Sequence, residues 1–199
     1  MSQPALLHLE QLRFAYADHV LFDGLNAHIT PGLTWVRGGD GRGKTTLLRL
    51  IAGELKPASG HVRHAGALFY ADMREAKLDD VLAHAWLAQQ AQHFPTWDSA
   101  IADALVEALR LTEHLHKSFH MMSTGTRRKV GLVAAVASQA QVVLLEAPFA
   151  ALDSAGREVV SELLAEAAAH HTCAWLLADY ALPSSVSEAQ LAGLIDLGD

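Results

Sequence analysis

The sequence GGDGRGKTT at residues 38–46 decides the fold, because it joins a short apolar segment, residues 33–36, to a helical pattern that ends before Gly53. It fits the pattern G-x-x-x-x-G-K-[ST] at every fixed position. A strand, a glycine loop and a helix N-terminus place backbone N–H groups around an anion, and the helix dipole adds favourable potential there. The alternative is a chance glycine-rich turn with a lysine, but the flanking strand and helix argue against it.

This stretch predicts a loop that binds the phosphates of a nucleoside triphosphate. In such a loop Lys44 reaches the β- and γ-phosphates, and the hydroxyl of Thr45 ligates Mg²⁺. We expect nucleotide contacts along the whole loop, from Gly38, Gly39, Asp40, Gly41, Arg42, Gly43, Lys44, Thr45 and Thr46.

Composition limits the classes of protein that the chain can represent. At 199 residues with 51% apolar content, it is long enough for one well-cored α/β domain, residues 1–199. Fifteen basic and 22 acidic side chains leave a net charge of −7, which argues against nucleic acid as the main partner. A single cysteine favours a reducing, cytoplasmic location. We find no leader-like segment and no apolar run long enough to span a bilayer, so membrane association is expected only through a partner.

Apolar periodicity predicts a β-layer first and a helical insertion after it. Alternation indicates strands at residues 5–16 and 20–29, with further strands at 61–63 and 67–70. Residues 78–116 switch to helical periodicity, with a break at residues 94–96 and a cap at Asp98, so we expect a helical subdomain at about 73–130. Its tryptophans are most simply core, although an exposed one would suit a partner surface. Later segments predict a helix after residue 123, a strand at 142–146, a helix at 154–169, a strand at 173–178, a helix start near Ser184 and a final strand through 194–195.

Three further places carry candidate site residues. Ser123 and Gly125 stand at the start of a helix, where free N–H groups make a second anion-ready site. Glu146 ends a run of β-formers, as expected of a buried parallel strand with a carboxylate at its tip that can hold a nucleotide's Mg²⁺. The ring of Tyr16 either stacks on a purine base or is an ordinary half-exposed strand tyrosine, and the sequence favours neither.

Together, the stretches GGDGRGKTTLLRLIAG, MSTGTRRKVGLVAAVA and VVLLEAPFAALD resemble, in order and spacing, the nucleotide-binding subunit of ABC transporters. The resemblance implies an α/β P-loop NTPase fold of the ABC type, with a mixed β core and an inserted helical lobe that docks on a membrane-spanning transporter subunit. It implies ATP and Mg²⁺ as cofactors, Tyr16 as the adenine-stacking aromatic, and Ser123 with Gly125 on the γ-phosphate across a homodimer or heterodimer. Asp153 falls in the loop that crosses between the two sites. The small size and the pair Pro148-Phe149 are similar to the haem-exporter ATPases of cytochrome c maturation.

The chain departs from this family where the family hydrolyses ATP. Ala147 occupies the usual position of the catalytic glutamate, and a methyl group neither polarises water nor accepts a proton. Glu146 replaces the aspartate on the Mg²⁺ side; its use as the base instead would leave Leu145 at the metal position. The switch histidine falls at Ala178 or Asp179. The expected glutamine falls at Ala71 or Asp72, although Asp72 can still approach Mg²⁺.

These departures leave three functions to weigh. The first is a transporter subunit that couples ATP binding and dimer closure to a membrane partner, with hydrolysis weak or dependent on a partner subunit. The second is a non-hydrolysing regulator or clamp of the same fold. The third, a small P-loop kinase, requires an acceptor site that the sequence does not reveal.

Overall fold

The computed structural model describes residues 4–17, 19–169 and 172–198. In these residues, five strands and one helix come first, three helices follow in succession, and the chain ends with three strands and one further helix. The strands are β1 Leu7–Tyr16, β2 His19–Ile29, β3 Gly32–Arg37, β4 Ser59–His64, β5 Leu68–Phe69, β6 Val142–Glu146, β7 Ala174–Ala178 and β8 Gly193–Asp196. The α-helices are α1 Lys44–Ile51, α2 Ala83–His93, α3 Ser99–Ala108, α4 Thr124–Ala137 and α5 Ser154–Ala169. Single 3₁₀ turns lie at Ala76–Leu78, Thr112–His114, Phe119–Met121 and Glu188–Gln190.

The strands form two sheets of different kinds. An antiparallel sheet has the order β2-β1-β4, and a parallel sheet has the order β5-β6-β7-β3-β8. In the parallel sheet Glu146 pairs with Ala178, and Val36 also pairs with Ala178 and with Ile195. One row across the sheet therefore brings the C-terminal ends of four strands to a common edge. Crevices at this edge are where open α/β sheets bind ligands.

A local irregularity keeps β1 amphipathic. Leu7, Leu9 and Leu12 are all fully buried, although strict alternation would send position 12 to the opposite face from 7 and 9. The register to β2 shifts between Leu9 and Leu12, and Gln11 has a φ of 48°. The extra residue of this bulge restores the buried face, so the leucines reach the same core.

The chain divides into two compact units. The first comprises residues 1–70, 141–147 and 163–199, and it contains both sheets and α1. The second comprises residues 71–140 and 148–162, and it contains α2, α3 and α4. Asp98 caps α3 by accepting from the N–H groups of Ala100 and Ile101. Trp86 is buried against the edge of the Phe119 ring, 5.9 Å between centroids, and is therefore a core residue.

The helix that the serines near Ser184 predict is wrong. Residues 181–187 are irregular, with a turn only at residues 184–185, and a single 3₁₀ turn follows at Glu188–Gln190. Ser187 and Gln190 close a capping box around that turn, while Val186 is buried. The start signal is therefore real but begins three residues later, and the next strand leaves no room for a longer helix. Among the described residues, no helix has the length and apolar character needed to cross a bilayer.

Candidate functional site

The glycine loop follows β3 and ends where α1 begins at Lys44. Gly43 is the residue that caps this helix, with a φ of 93° and no side-chain cap. A Cβ placed there would lie 2.9 Å from Cζ of Phe22 and would force an L-residue into left-handed backbone. Because no side chain caps α1, the N–H groups of its first turn face outward from the helix end and suit an anion.

The start of the loop is held by the strand at the other side of β3. The N–H of Gly39 donates to the carbonyl oxygen of Gly198 at 2.9 Å. A Cβ on Gly38 would approach Cβ of Leu197 to 3.1 Å. Residues after β8 therefore hold the loop in place and explain why position 38 is glycine. Asp40, Gly41 and Arg42 are exposed at the tip of the loop.

Lys44 folds back over the loop that precedes it. Its ammonium donates to the carbonyl oxygens of Gly38 at 2.5 Å and Gly39 at 2.9 Å. This arrangement places a positive charge beside the loop and the N-terminus of α1, and such a charge favours the binding of an anion there.

Thr45 and Glu146 meet at the same edge of the sheet. The Thr45 hydroxyl donates to Oε1 of Glu146 at 2.5 Å. Hydroxyl and carboxylate oxygens are ligands that Mg²⁺ accepts, and it commonly takes one or two protein oxygens together with phosphates and water. The donor set therefore fits a nucleotide-bound Mg²⁺. Glu146 is one methylene longer than the aspartate that the family resemblance implies at this strand tip, and it reaches Thr45, the other predicted ligand of the same Mg²⁺.

Ala147 comes next and has a φ of 41°, an unusual conformation for a residue with a Cβ. Its N–H donates to the carbonyl oxygen of Ala178 at 2.8 Å. The backbone is thus anchored at the edge of the sheet, directly after Glu146. A methyl group here offers neither a proton acceptor nor a ligand.

Asp72 lies in the second unit and is engaged locally. Its Oδ1 accepts from Nε of Arg74 at 2.8 Å and from the backbone N–H of Arg74 at 3.0 Å, and its Oδ2 accepts from Nη2 at 3.1 Å. A carboxylate that carries this bidentate pair has less free capacity for a metal. Its role as a Mg²⁺ ligand stays a prediction.

Ser123 and Gly125 open α4 in the second unit. Ser123 is the N-cap, because its Oγ accepts from the N–H of Thr126 at 3.1 Å. Gly125 is buried, and a Cβ on it would overlap the carbonyl oxygen of Ala151 well inside the 3.0 Å that real Cβ atoms keep. Contacts within this chain are therefore enough to explain a serine at position 123 and a glycine at position 125. Their contact with a γ-phosphate across a dimer stays a prediction.

Asp153 is tied to the same helix. Its Oδ2 accepts from Nζ of Lys129 at 2.9 Å, and its Oδ1 accepts from the N–H of Gly156 at 2.8 Å. The Lys129 hydrogen bond and then the Gly156 N–H lower the pKa of Asp153 below its ordinary value. Lys129 itself is only 8% exposed, so this carboxylate compensates a buried ammonium.

Tyr16 ends β1 with 49% of its surface exposed, and its ring packs edge-on against Phe14 at 4.9 Å. The exposed face is compatible with either alternative that the sequence leaves open. Stacking on adenine stays a prediction.

Sequence reasoning missed Tyr180. The sequence directs attention to Ala178 and Asp179, but the Ala178 side chain is buried in β7. The ring of Tyr180 instead lies over the Lys44 ammonium, with Nζ 4.1 Å from the ring centroid. No motif signals this contact, because it depends on β7 lying next to β3 in the sheet.

A glycine loop between an inner strand of a parallel sheet and a helix, with a lysine and a strand-tip carboxylate beside it, defines the P-loop class of nucleotide-binding proteins. A family model described as ABC transporter matches residues 22–150. The aliphatic sulfonates import ATP-binding protein SsuB of Granulibacter bethesdensis is 30% identical, over 100% of this chain and 83% of that protein. The cytochrome c biogenesis ATP-binding export protein CcmA of Sphingopyxis alaskensis is 32% identical, over 83% of this chain and 84% of that protein.

Solved structures agree on the fold. A structure described as an ATP-binding subunit of an ABC transporter superposes with a TM-score of 0.76 at 19% identity, covering 89% of this chain and 80% of that one. The cbiO1 protein of Clostridium perfringens, described as part of the ABC transporter complex cbiONQ, gives a TM-score of 0.63 at 21% identity over 90% and 80% of the two chains. The chain therefore belongs to the ABC transporter family, as an ATP-binding subunit of that family. The prediction of an ABC-type P-loop fold is confirmed, and so is the similarity to the ATPases of cytochrome c maturation.

Proposed function

We propose that this chain binds ATP with Mg²⁺ and couples binding and dimer closure to a membrane-spanning transporter subunit, with hydrolysis weak or dependent on a partner subunit. The observation that carries the proposal is the Thr45–Glu146 hydrogen bond with Ala147 directly behind it. It leaves the binding side of the site intact and provides no base.

The binding side uses residues of the first unit. The N–H groups at the start of α1 and the ammonium of Lys44 neutralise the phosphates and orient them along the loop. Thr45 and Glu146 would hold the Mg²⁺. That ion, when bound, neutralises charge on the β- and γ-phosphate oxygens.

At position 147, where the family resemblance implies the residue that activates water, this chain has an alanine. Glu146 is the carboxylate nearest to position 147 along the chain, but one of its oxygens already accepts a hydrogen bond from the Thr45 hydroxyl at 2.5 Å. This engagement favours a metal-side role for Glu146 over a role as the base. Loss of a positioned general base costs typically about 10²–10⁴ in rate, whereas phosphate binding does not depend on it.

A heterodimer would supply what this chain lacks. In the two-site sandwich that the family resemblance implies, each site takes its loop and carboxylates from one subunit and its signature helix from the other. An orthodox partner would then hydrolyse ATP at its own loop, with Ser123 and Gly125 of this chain completing that second site. The protein would lie at the cytoplasmic face of a membrane through its transporter partner.

ATP affinity and turnover of the purified chain with Mg²⁺ test the catalytic part of the proposal. We expect ATP binding with negligible turnover in the wild type, loss of binding in Lys44→Ala, and turnover gained in Ala147→Glu by up to about 10²–10⁴-fold. Ala150→Glu is the matched control, because it adds the same charge three residues away at an exposed position. Ready turnover by the wild type would refute the role assigned to Ala147.

Sedimentation of the chain with ATP and Mg²⁺ tests the assembly. An ATP-dependent dimer that Lys44→Ala abolishes supports a homodimer. A chain that binds ATP and stays monomeric supports a heterodimer with another ATP-binding subunit. A monomer that also fails to stimulate any ATP-binding partner would favour the regulator or clamp of the same fold.

A further inference from the structure

Tyr180 is fixed at the same edge of the parallel sheet as the phosphate loop. The preceding residue, Asp179, donates its N–H to the carbonyl oxygen of Val36 at 3.3 Å and accepts from Nε1 of Trp35 at 3.1 Å on its own carbonyl. Its Oδ1 also accepts from the N–H of Tyr180 at 2.7 Å. The first two of these bonds tie the segment after β7 to the strand that leads into the loop, and the third fixes the turn between Asp179 and Tyr180. The backbone of Tyr180 is therefore held next to the strand that leads into the loop.

The ring of Tyr180 covers the part of the Lys44 ammonium that the loop leaves open. An ammonium has three donors, and two of them point to the carbonyl oxygens of Gly38 and Gly39. The centroid of the Tyr180 ring lies 4.1 Å from Nζ, well within the 6 Å range of a cation–π contact. Among the described residues, no acceptor atom takes the third donor.

This contact is not simple packing of a surface tyrosine. Tyr180 is 59% exposed, and the centroid of its ring lies 4.1 Å from the charged Nζ of Lys44. Within the part of the chain that the structure describes, its hydroxyl has no hydrogen-bond partner. Contact with Lys44 is therefore the interaction that positions the ring.

We propose that Tyr180 is a positioning residue of the nucleotide site, whose ring competes with the terminal phosphates of ATP for the ammonium of Lys44. The inference rests on ATP binding at the loop. A phosphate oxygen and the ring compete for the same donor, so removing the ring makes the lysine more available. The cost of displacement corresponds to the strength of an exposed cation–π contact, which is about twofold to fivefold in affinity.

Three proteins test the proposal: the wild type, Tyr180→Ala and Tyr180→Phe. The first readout is the dissociation constant of ATP with Mg²⁺, and we expect Tyr180→Ala to bind about two to five times more tightly than the wild type. Tyr180→Phe keeps the aromatic face, so its affinity should match that of the wild type. The exposed position of Tyr180 makes both variants compatible with folding.

The second readout needs no nucleotide. The rate at which an acylating reagent modifies Lys44 in the nucleotide-free chain is followed by mass spectrometry of the loop peptide, and Lys56 is the internal standard because it is exposed in the same unit. We expect faster modification of Lys44 in Tyr180→Ala and an unchanged rate in Tyr180→Phe. This arm gives an answer even if the chain binds no ATP, which separates failure of this inference from failure of the proposed function.

Both changes are required. Modification of Lys44 at the wild-type rate in Tyr180→Ala would mean that the ring does not cover it. Faster modification with unchanged or weaker ATP binding would mean that the ring does not compete with phosphate. Either result overturns the proposal.

Discussion

Replacement of Gly125 by alanine should destabilise α4 even in the absence of nucleotide. The added Cβ would overlap the carbonyl oxygen of Ala151, a backbone atom that cannot rotate away. Overpacking of this kind costs typically about 1–3 kcal/mol, and the gain in helix propensity from glycine to alanine returns at most about 1 kcal/mol. Because the overlap is with a backbone atom, we take the upper part of that range, about 2–3 kcal/mol, and expect a net loss of about 1–2 kcal/mol.

Hydrogen exchange followed by mass spectrometry measures this loss locally, which matters because the chain has two compact units and global unfolding need not be two-state. At about 1.4 kcal/mol per tenfold, a loss of 1–2 kcal/mol makes the protected amides of α4 exchange about 5 to 30 times faster. Peptides from the parallel sheet should be nearly unchanged.

Gly131→Ala is the matched control on the same helix. A Cβ there would lie 2.7 Å from Cγ of Met73, a side-chain atom that moves with a change of rotamer, whereas the atom opposite Gly125 belongs to the backbone. We expect exchange within about fivefold of the wild type. If Gly125→Ala exchanges at the wild-type rate, the packing explanation for this glycine is refuted.

Three further substitutions test other contacts. Asp153→Asn removes the partner of the buried Lys129 and should cost about 1 kcal/mol at neutral pH, since much of the carboxylate is exposed. The pKa of Asp153 is lowered in the folded chain, so its contribution to the free energy of unfolding is present above the ordinary aspartate range and is lost only as pH falls through the lowered value. In urea unfolding, the difference in stability between Asp153→Asn and the wild type should therefore stay constant down to about pH 5 and shrink in stronger acid. A difference that grows in acid would contradict this. Ser123→Ala should cost about 1 kcal/mol through loss of the bond to the Thr126 N–H, measured by the same exchange of α4, and Ser123→Asp should recover most of it. Gly43→Ala combines left-handed backbone strain with the Phe22 contact, so it should lose about 2–3 kcal/mol of unfolding free energy and also ATP binding. Gly53→Ala is the control, because Gly53 has a φ of 76° but no atom within 4 Å of an added Cβ, and it should lose only about 1 kcal/mol. Equal losses in thermal unfolding would exclude the Phe22 contact as a cause of the destabilisation.

Local features of the sequence were enough to predict the phosphate loop. Residues 38–46 contain the glycines that their turn requires, and the short apolar segment before them is typical of a buried strand, which β3 is. The position of Glu146 at the end of a strand was predictable for a similar reason, since it ends an unbroken run of buried β-formers. The hydrogen bond between Thr45 and Glu146 is then a consequence of both motifs lying at the same edge of the sheet.

Non-local pairing set the limit of prediction. The order β7-β3-β8 is not written in any one segment, and it is what brings Tyr180 over Lys44. The sequence predicts a helix start near Ser184, whereas the capping box forms at Ser187 and encloses a single turn before β8 begins at Gly193. The bulge at Gln11 could not be predicted from the sequence either, because a glutamine in a strand does not indicate a positive φ.

The attachment of the loop to residues after β8 has a consequence for biosynthesis. Arg37 and its ion-pair partner Asp196 are 159 residues apart, and the carbonyl that receives the Gly39 N–H lies beyond them at Gly198. Contacts of such separation form late, because loop closure must come first. A ribosome-bound chain that has exposed the entire GGDGRGKTT stretch, but not yet β8, therefore lacks a finished phosphate loop. Acquisition of ATP affinity during translation would mark the moment at which the parallel sheet is completed.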